Sequence, residues 1–290
     1  MPDDAASTAA PASEGQLQAM VSLLSDSNPK VADGSREALV AQGEHALPTL
    51  GLALSAAEGV DERRLRSILA AIRFPHADEA FLEHLLGGPE LERGALLLAR
   101  LVDGGPEPDE VPAALDAMAA DVSARLPDGD DPDVAMSALA AVLVEDRQLS
   151  GVPPEHAVPV DALLHGVTAG RGGMPLPLCM TWMLVARRCG IPLVGVNMPG
   201  HFLMRLDVPG ELRVFDAFRG GLPMSREHCE QWLARFGMEG VEVDGLACDD
   251  TELLLRSVRN LVNLASADDD GRLAERGTKI LATARLRLGR

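Results

Sequence analysis

Between Arg171 and Pro192 the chain carries an apolar segment fenced at both ends by residues that cannot propagate a helix. Gly172, Gly173, Pro175 and Pro177 form the entrance, and Leu178 to Val185 is apolar on nearly every side, the composition of a central core helix rather than a surface one. Arg187 and Arg188 fall in the last turn, where cations favour the negative end of the dipole. Gly190 supplies a left-handed cap and Pro192 forbids continuation, so the helix is expected to end at about Cys189. A helix without a polar face needs neighbours all round, and the rest of the chain has to supply them.

The residues after this helix are short and extended. Leu193–Asn197 and His201–Leu206 suit strands and are separated by the turn Met198-Pro199-Gly200. A second turn, Val208-Pro209-Gly210, leads into Glu211–Asp216, whose alternating pattern predicts a half-buried antiparallel partner for the preceding strand. His201 then opens one strand and Asp216 closes its neighbour, which places the two side by side, with the loop-helix unit carrying Cys179 connected directly to them.

Composition narrows the architecture further. Of 290 residues 47% are hydrophobic, only 3% are aromatic and there is no Tyr, so the core must be made of Leu, Val, Ala and Met, which suits helices packed on helices. A formal charge of −18, from 44 acidic against 26 basic residues, argues against nucleic acid or an anionic membrane as partner. The four cysteines show neither metal-ligand spacing nor enough density for a disulfide scaffold. With no signal-peptide pattern at Met1–Gly15 and no apolar run of membrane-spanning length, the expected setting is the reducing cytoplasm.

Residues 1–15, rich in Ala, Ser, Pro and Asp, are expected to form a disordered leader. Residues 16–88 have helical periodicity. The segment Leu23–Val31 with Ala38, Leu39 and Gly43 resembles one HEAT-type repeat, but the spacing toward Arg63–Arg73 and Asp78–Leu86 is irregular, and a plain helical bundle is the other reading. Residues 89–246 hold a helical lead-in and the core described above. The acidic loop Pro127–Pro132 lacks the ligand order of a calcium loop and is read as a solvated turn. Ser225 is a plausible N-cap for a helix through Trp232 to Phe236, and residues 247–290 predict an antiparallel helix pair. The expected class is α+β and mostly helical, with a small antiparallel sheet.

Taken together, the Gly/Pro-rich loop, Ala186-Arg187-Arg188, Gly190-Ile191-Pro192, Gly195-Val196, Pro199-Gly200-His201-Phe202-Leu203-Met204-Arg205, Phe215-Asp216-Ala217-Phe218 and Gly220-Gly221 resemble the transglutaminase-like family in its SirB-type bacterial branch. The resemblance runs from about Glu92 to the C-terminus. It implies a papain-like core in which a Cys at a helix N-terminus, a His and an Asp form a triad. The dipole and imidazole favour thiolate, and the carboxylate fixes the imidazole tautomer. His201 and Asp216 match the family's positions. The nucleophile position, counted back from Gly190-Ile191-Pro192, falls on Pro175, while Cys179 lies one turn further, displaced by about 6 Å along the axis, and its other reading is a small buried hydrophobe. The family's polar, Asn-containing signature is also replaced, by Val160-Asp161-Ala162-Leu163.

Two functions follow as expectations. The first is a catalytically degenerate transglutaminase-like protein that binds or regulates a protein or peptide partner. The second is a working thiol amide hydrolase or acyl transferase using Cys179, His201 and Asp216. Those three residues are also suitable metal ligands by type but lack diagnostic spacing, and no cofactor or metal is expected.

Overall fold

The computed structural model describes residues 11–126, 131–210, 212–267 and 271–289, which fall into two compact units. One comprises the chain up to His76 together with Arg100–Gly104, and the other Ala77–Ala99 with Gly105 onward.

The first unit is built from α1 (Glu14–Leu23), α2 (Pro29–Ala41), α3 (Leu47–Leu54) and α4 (Gly59–Arg73). Ser13 and Gln16 cap α1 reciprocally, so the helix starts two residues before the expected Gln16, and residues 1–10 of the expected leader lie outside the described residues. Asn28 caps α2, with Pro29 in the first position, where its missing N–H costs nothing. Helix α1 packs on α2 and α3 on α4, and α1–α3 and α2–α4 contacts join the pairs around Leu17, Leu39, Leu50, Leu65 and Ile68.

The second unit continues with α5 (Ala77–Leu86), α6 (Leu91–Val102, whose last residues belong to the first unit), α7 (Glu110–Ser123), α8 (Pro132–Ala140), α9 (Leu164–Thr168) and α10 (Pro175–Arg188). Most of the expected acidic turn, residues 127–130, lies outside the described residues. Asp131 beyond it caps α8 by accepting from the Asp133 N–H at 2.9 Å. Helix α10 ends as expected, at Cys189 with Gly190 at φ +70°. It begins earlier than the loop reading implies, because Pro175 and Pro177 are accommodated within the first turn, where no intrahelical N–H bond is lost. Every residue from Leu176 to Ala186 is buried. The required neighbours are α7, α9, two strands, the 3₁₀ turn at Ala217–Arg219 and a later helix, α12 (Asp250–Ala267).

Strands β1 (Leu193–Val196), β2 (Leu203–Leu206), β3 (Val214–Asp216), β4 (Leu222–Met224) and β5 (Ala247–Cys248) make one antiparallel sheet in the order β4-β3-β2-β1-β5. The expected hairpin is present, with Met204 opposite Phe215 and Arg205 opposite Val214, but its strands are shorter, and His201 lies in the turn before β2 rather than in it. The left-handed pair Gly220 and Gly221 returns the chain from β3 into β4, and the Gly221 N–H donates to the Asp216 carbonyl at 2.8 Å. Val196, Leu203 and Val214 pack with Cys229 and Leu233 of α11 (Arg226–Ala234), which Ser225 caps. Helices α12 (Asp250–Ala267) and α13 (Gly271–Leu288) pair with each other and complete a mostly helical α+β fold.

Candidate functional site

His201 and Asp216 are brought together by the β2–β3 hairpin. Asp216 is buried and uses both carboxylate oxygens. Oδ1 accepts from the Phe218 N–H at 3.0 Å, starting the 3₁₀ turn, and Oδ2 lies 2.9 Å from His201 Nε2. A carboxylate accepts, so the imidazole donates through Nε2, and in the neutral ring Nδ1 carries the lone pair. Among the described residues no protein group is hydrogen-bonded to Nδ1. The His201 side chain keeps 13% of its surface exposed, against 3% for Asp216, so the imidazole is the more solvent-accessible member of the pair.

The turn carrying His201 has the residue pattern of a type II β-turn, with Pro199 second and Gly200 third at φ +70°, closed by His201 N–H to the Met198 carbonyl at 3.3 Å. Side chains distant in sequence hold it. Trp232 Nε1 donates to the Pro199 carbonyl at 2.8 Å, and the Arg256 guanidinium reaches the Met198 and His201 carbonyls. The imidazole is walled by aromatic rings, Phe218 edge-on at 6.1 Å and Trp232 tilted at 5.5 Å, and Trp232 stacks on the half-exposed Phe236. Gly151 admits the Phe218 ring, since a Cβ there would overlap it. Phe218 lies in the Phe215-Asp216-Ala217-Phe218 motif, whereas the roles of Trp232 and Arg256 are marked by no local motif. For Trp232 the one legible signal is the concentration of the chain's few aromatics between Phe202 and Phe236, and Arg256 has none.

The N-terminus of α10 faces a different chemistry from that of an anion-binding helix. The Met174 N–H is already spent on the Asp161 carbonyl at 2.8 Å, and prolines occupy the first and third helical positions. Of those first three positions only Leu176 retains an N–H to offer. Asp161, in the segment that departs from the family signature, is itself buried and accepts from the Val158 N–H at 2.9 Å, a structural use of its carboxylate.

Cys179 is completely buried, and its thiol points at the Phe202 carbonyl, 3.5 Å away, rather than bonding to the imidazole. Burial pushes its pKa well above the ordinary thiol value, and the Asp216 charge pushes in the same direction. Both effects favour the protonated thiol over the thiolate, the form that acts as nucleophile. Cys248, on the edge strand, is raised by burial to about 12, and Cys229 is raised by burial as well. All four cysteines are free, and no group of three or more His, Cys, Asp or Glu among the described residues could hold a metal ion.

A buried helix packed on a small antiparallel sheet, with a His–Asp pair at the hairpin end, defines the class as an α+β core of the transglutaminase-like kind. The family model described as the transglutaminase-like superfamily matches residues 109–259, more than half of the 290, and the chain belongs to that superfamily. It is 35% identical over 153 residues to a UPF0162 protein of Xylella fastidiosa, covering 50% of this chain and 54% of that one. It is also 38% identical over 112 residues to a UPF0162 protein of Pseudomonas aeruginosa, covering 38% and 40%. F-box only protein 21 of Mus musculus is 27% identical over 147 residues, 46% of this chain and 22% of that protein. The chain thus spans about half the length of the first of these curated relatives. No solved structure matches significantly.

Proposed function

We propose that this is a SirB-type transglutaminase-like protein whose site is catalytically silent and which acts by binding a protein or peptide partner. The observation that carries the reading is the sealing of Cys179 beneath the Phe202 carbonyl while Pro175 stands at the first helical position. An acyl-transfer nucleophile has to reach a substrate carbonyl within a near-attack distance of about 3–3.5 Å, and a fully buried thiol with a raised pKa meets neither the geometric nor the electronic requirement. The His–Asp pair persists with one imidazole nitrogen uncommitted, and the Trp232–Phe236 stack gives a partly exposed apolar shelf beside it. Such a shelf suits an extended chain passing over a site that no longer cleaves. The matched region makes up only 22% of F-box only protein 21, so related sequence also occurs as a module within a larger protein, as a binding or regulatory element would.

The alternative, a thiol hydrolase or acyl transferase using Cys179, His201 and Asp216, requires Cys179 to become exposed. Among the described residues no helix is long and apolar enough to cross a membrane, and four free thiols fit the cytoplasm as the proposed compartment. The test is incubation with a glutamine-bearing peptide and a fluorescent primary amine, and separately with a panel of fluorogenic amides. Neither transamidation nor hydrolysis above a Cys179→Ala control is expected. His201-dependent turnover lost in Cys179→Ala would reinstate the enzyme.

A further inference from the structure

Arg256 on α12 stands apart from the other partly buried arginines of the core. In a chain with 44 acidic residues, Arg187 closes on both oxygens of Asp250, and Arg188 on Glu92 at 2.8 Å and Asp116 at 2.6 Å. Among the described residues no carboxylate bonds to Arg256. Its three hydrogen bonds all go to neutral oxygens of one short stretch. Nη1 reaches Asn197 Oδ1 and the Met198 carbonyl, the latter at 2.8 Å, and Nη2 reaches the His201 carbonyl at 2.7 Å. The guanidinium carbon also lies 5.4 Å from the centre of the Phe202 ring. A single planar fork therefore grips the first and last carbonyls of the four-residue turn that presents His201.

We propose that Arg256 is a positioning residue for His201. Burial of a guanidinium without a carboxylate is costly unless its hydrogen bonds are satisfied, and two carbonyls of one turn with the Asn197 side chain just before it supply those bonds only while the turn keeps its present shape. The turn in turn fixes where the His201 Cα and Cβ sit relative to Asp216, two strand ends away. Trp232 holds the carbonyl in between, but from α11, and cannot replace a fork that spans both ends. The role does not depend on whether the site is active or silent, because what Arg256 sets is the imidazole's contact with Asp216.

The test is nitrogen-15 NMR of the histidine rings in the full chain, comparing wild type with Arg256→Met, Arg256→Lys and Asn197→Ala at a pH where His201 is neutral. In the wild type His201 is expected almost entirely in the form protonated at Nε2. In Arg256→Met both tautomers should become populated, with the excess of the Nε2–H form falling at least several-fold. Lysine, which keeps the charge but not the fork, should restore part of it, and Asn197→Ala should give a smaller loss. The other six histidines serve as internal controls. A merely structural arginine would lower the urea midpoint and leave the His201 nitrogen shifts alone. Unchanged His201 shifts in folded Arg256→Met overturn the proposal. If that variant does not fold, unchanged shifts in Asn197→Ala do the same.

Discussion

His201 and Asp216 meet at 2.9 Å across fifteen residues of chain because the pairing of Met204 with Phe215 brings the end of β3 level with the turn that precedes β2. The carboxylate is shared between that contact and the Phe218 N–H, so its removal is felt by both a side chain and a backbone turn.

Replacement of Asp216 separates the two uses. In Asp216→Asn the amide oxygen can still cap the Phe218 N–H, which turns the amide NH₂ toward Nε2 and forces the neutral imidazole to accept there and carry its proton on Nδ1. The expected outcome is a reversed tautomer by NMR with a stability loss of about 1 kcal/mol, whereas Asp216→Ala, which strands a buried donor, should cost about 2–3 kcal/mol in urea unfolding. Equal losses for the two variants, or an unchanged tautomer in the first, would contradict the bonding pattern.

Thiol chemistry should follow burial. Cys179 is expected to resist iodoacetamide at pH 7 over times that fully label a free cysteine, read by peptide mass spectrometry. A raised folded-state pKa also sets an alkaline limit. Above pH 9 the thiol of the unfolded chain ionises while Cys179 and Cys248 remain protonated in the fold, so the unfolded state binds fewer protons and stability falls as pH rises, toward about 12 for Cys248. The urea midpoint should therefore decline between pH 9 and 11, less steeply in Cys248→Ala. A flat profile in the wild type would count against the burial account.

Pro175 stands at the first position of α10, and Pro175→Cys would place both an N–H and a thiol at the dipole's positive end. In a Cys179→Ser background the new thiol is expected to have a depressed pKa and to be labelled faster than Cys179 is in the wild type, with His201→Ala slowing it. A new thiol that titrates like free cysteine, or ignores His201, would mean that the loop does not present this position to the imidazole.

Gly221 has φ +75°, donates to the Asp216 carbonyl and leaves no room for a Cβ against the Trp182 ring. Gly221→Ala should combine left-handed strain with overpacking and cost about 2–4 kcal/mol. The unfolding midpoint measures the loss, and because the strained residue anchors Asp216 the His201 ring resonances should shift with it. Gly170→Ala, with positive φ but open space at the Cβ, is the control that isolates the strain and should cost about half as much or less.

How much of this could be read from residues alone depends on how local each feature is. Helix α10 was legible because its apolar run and the Gly190-Ile191-Pro192 stop lie in one stretch, and the His201–Asp216 meeting because a hairpin joins neighbours in sequence. The first helical turn was harder, since Pro175 and Pro177 look like loop residues until the position of the helix start is known. Strands β4 and β5 gave no signal, being two or three residues long, with Pro223 inside β4; they exist through pairing with β3 and β1. The burial of Cys179 follows from its place on a helix that is apolar all round, but its partner, the Phe202 carbonyl, comes from 23 residues away and Arg256 reaches His201 from 55 residues away. Hydrophobic periodicity and turn chemistry act over a few residues and so are written in the sequence. The carbonyl that a buried thiol faces and the target of a guanidinium depend on which distant surfaces meet, and the tertiary packing alone selects those.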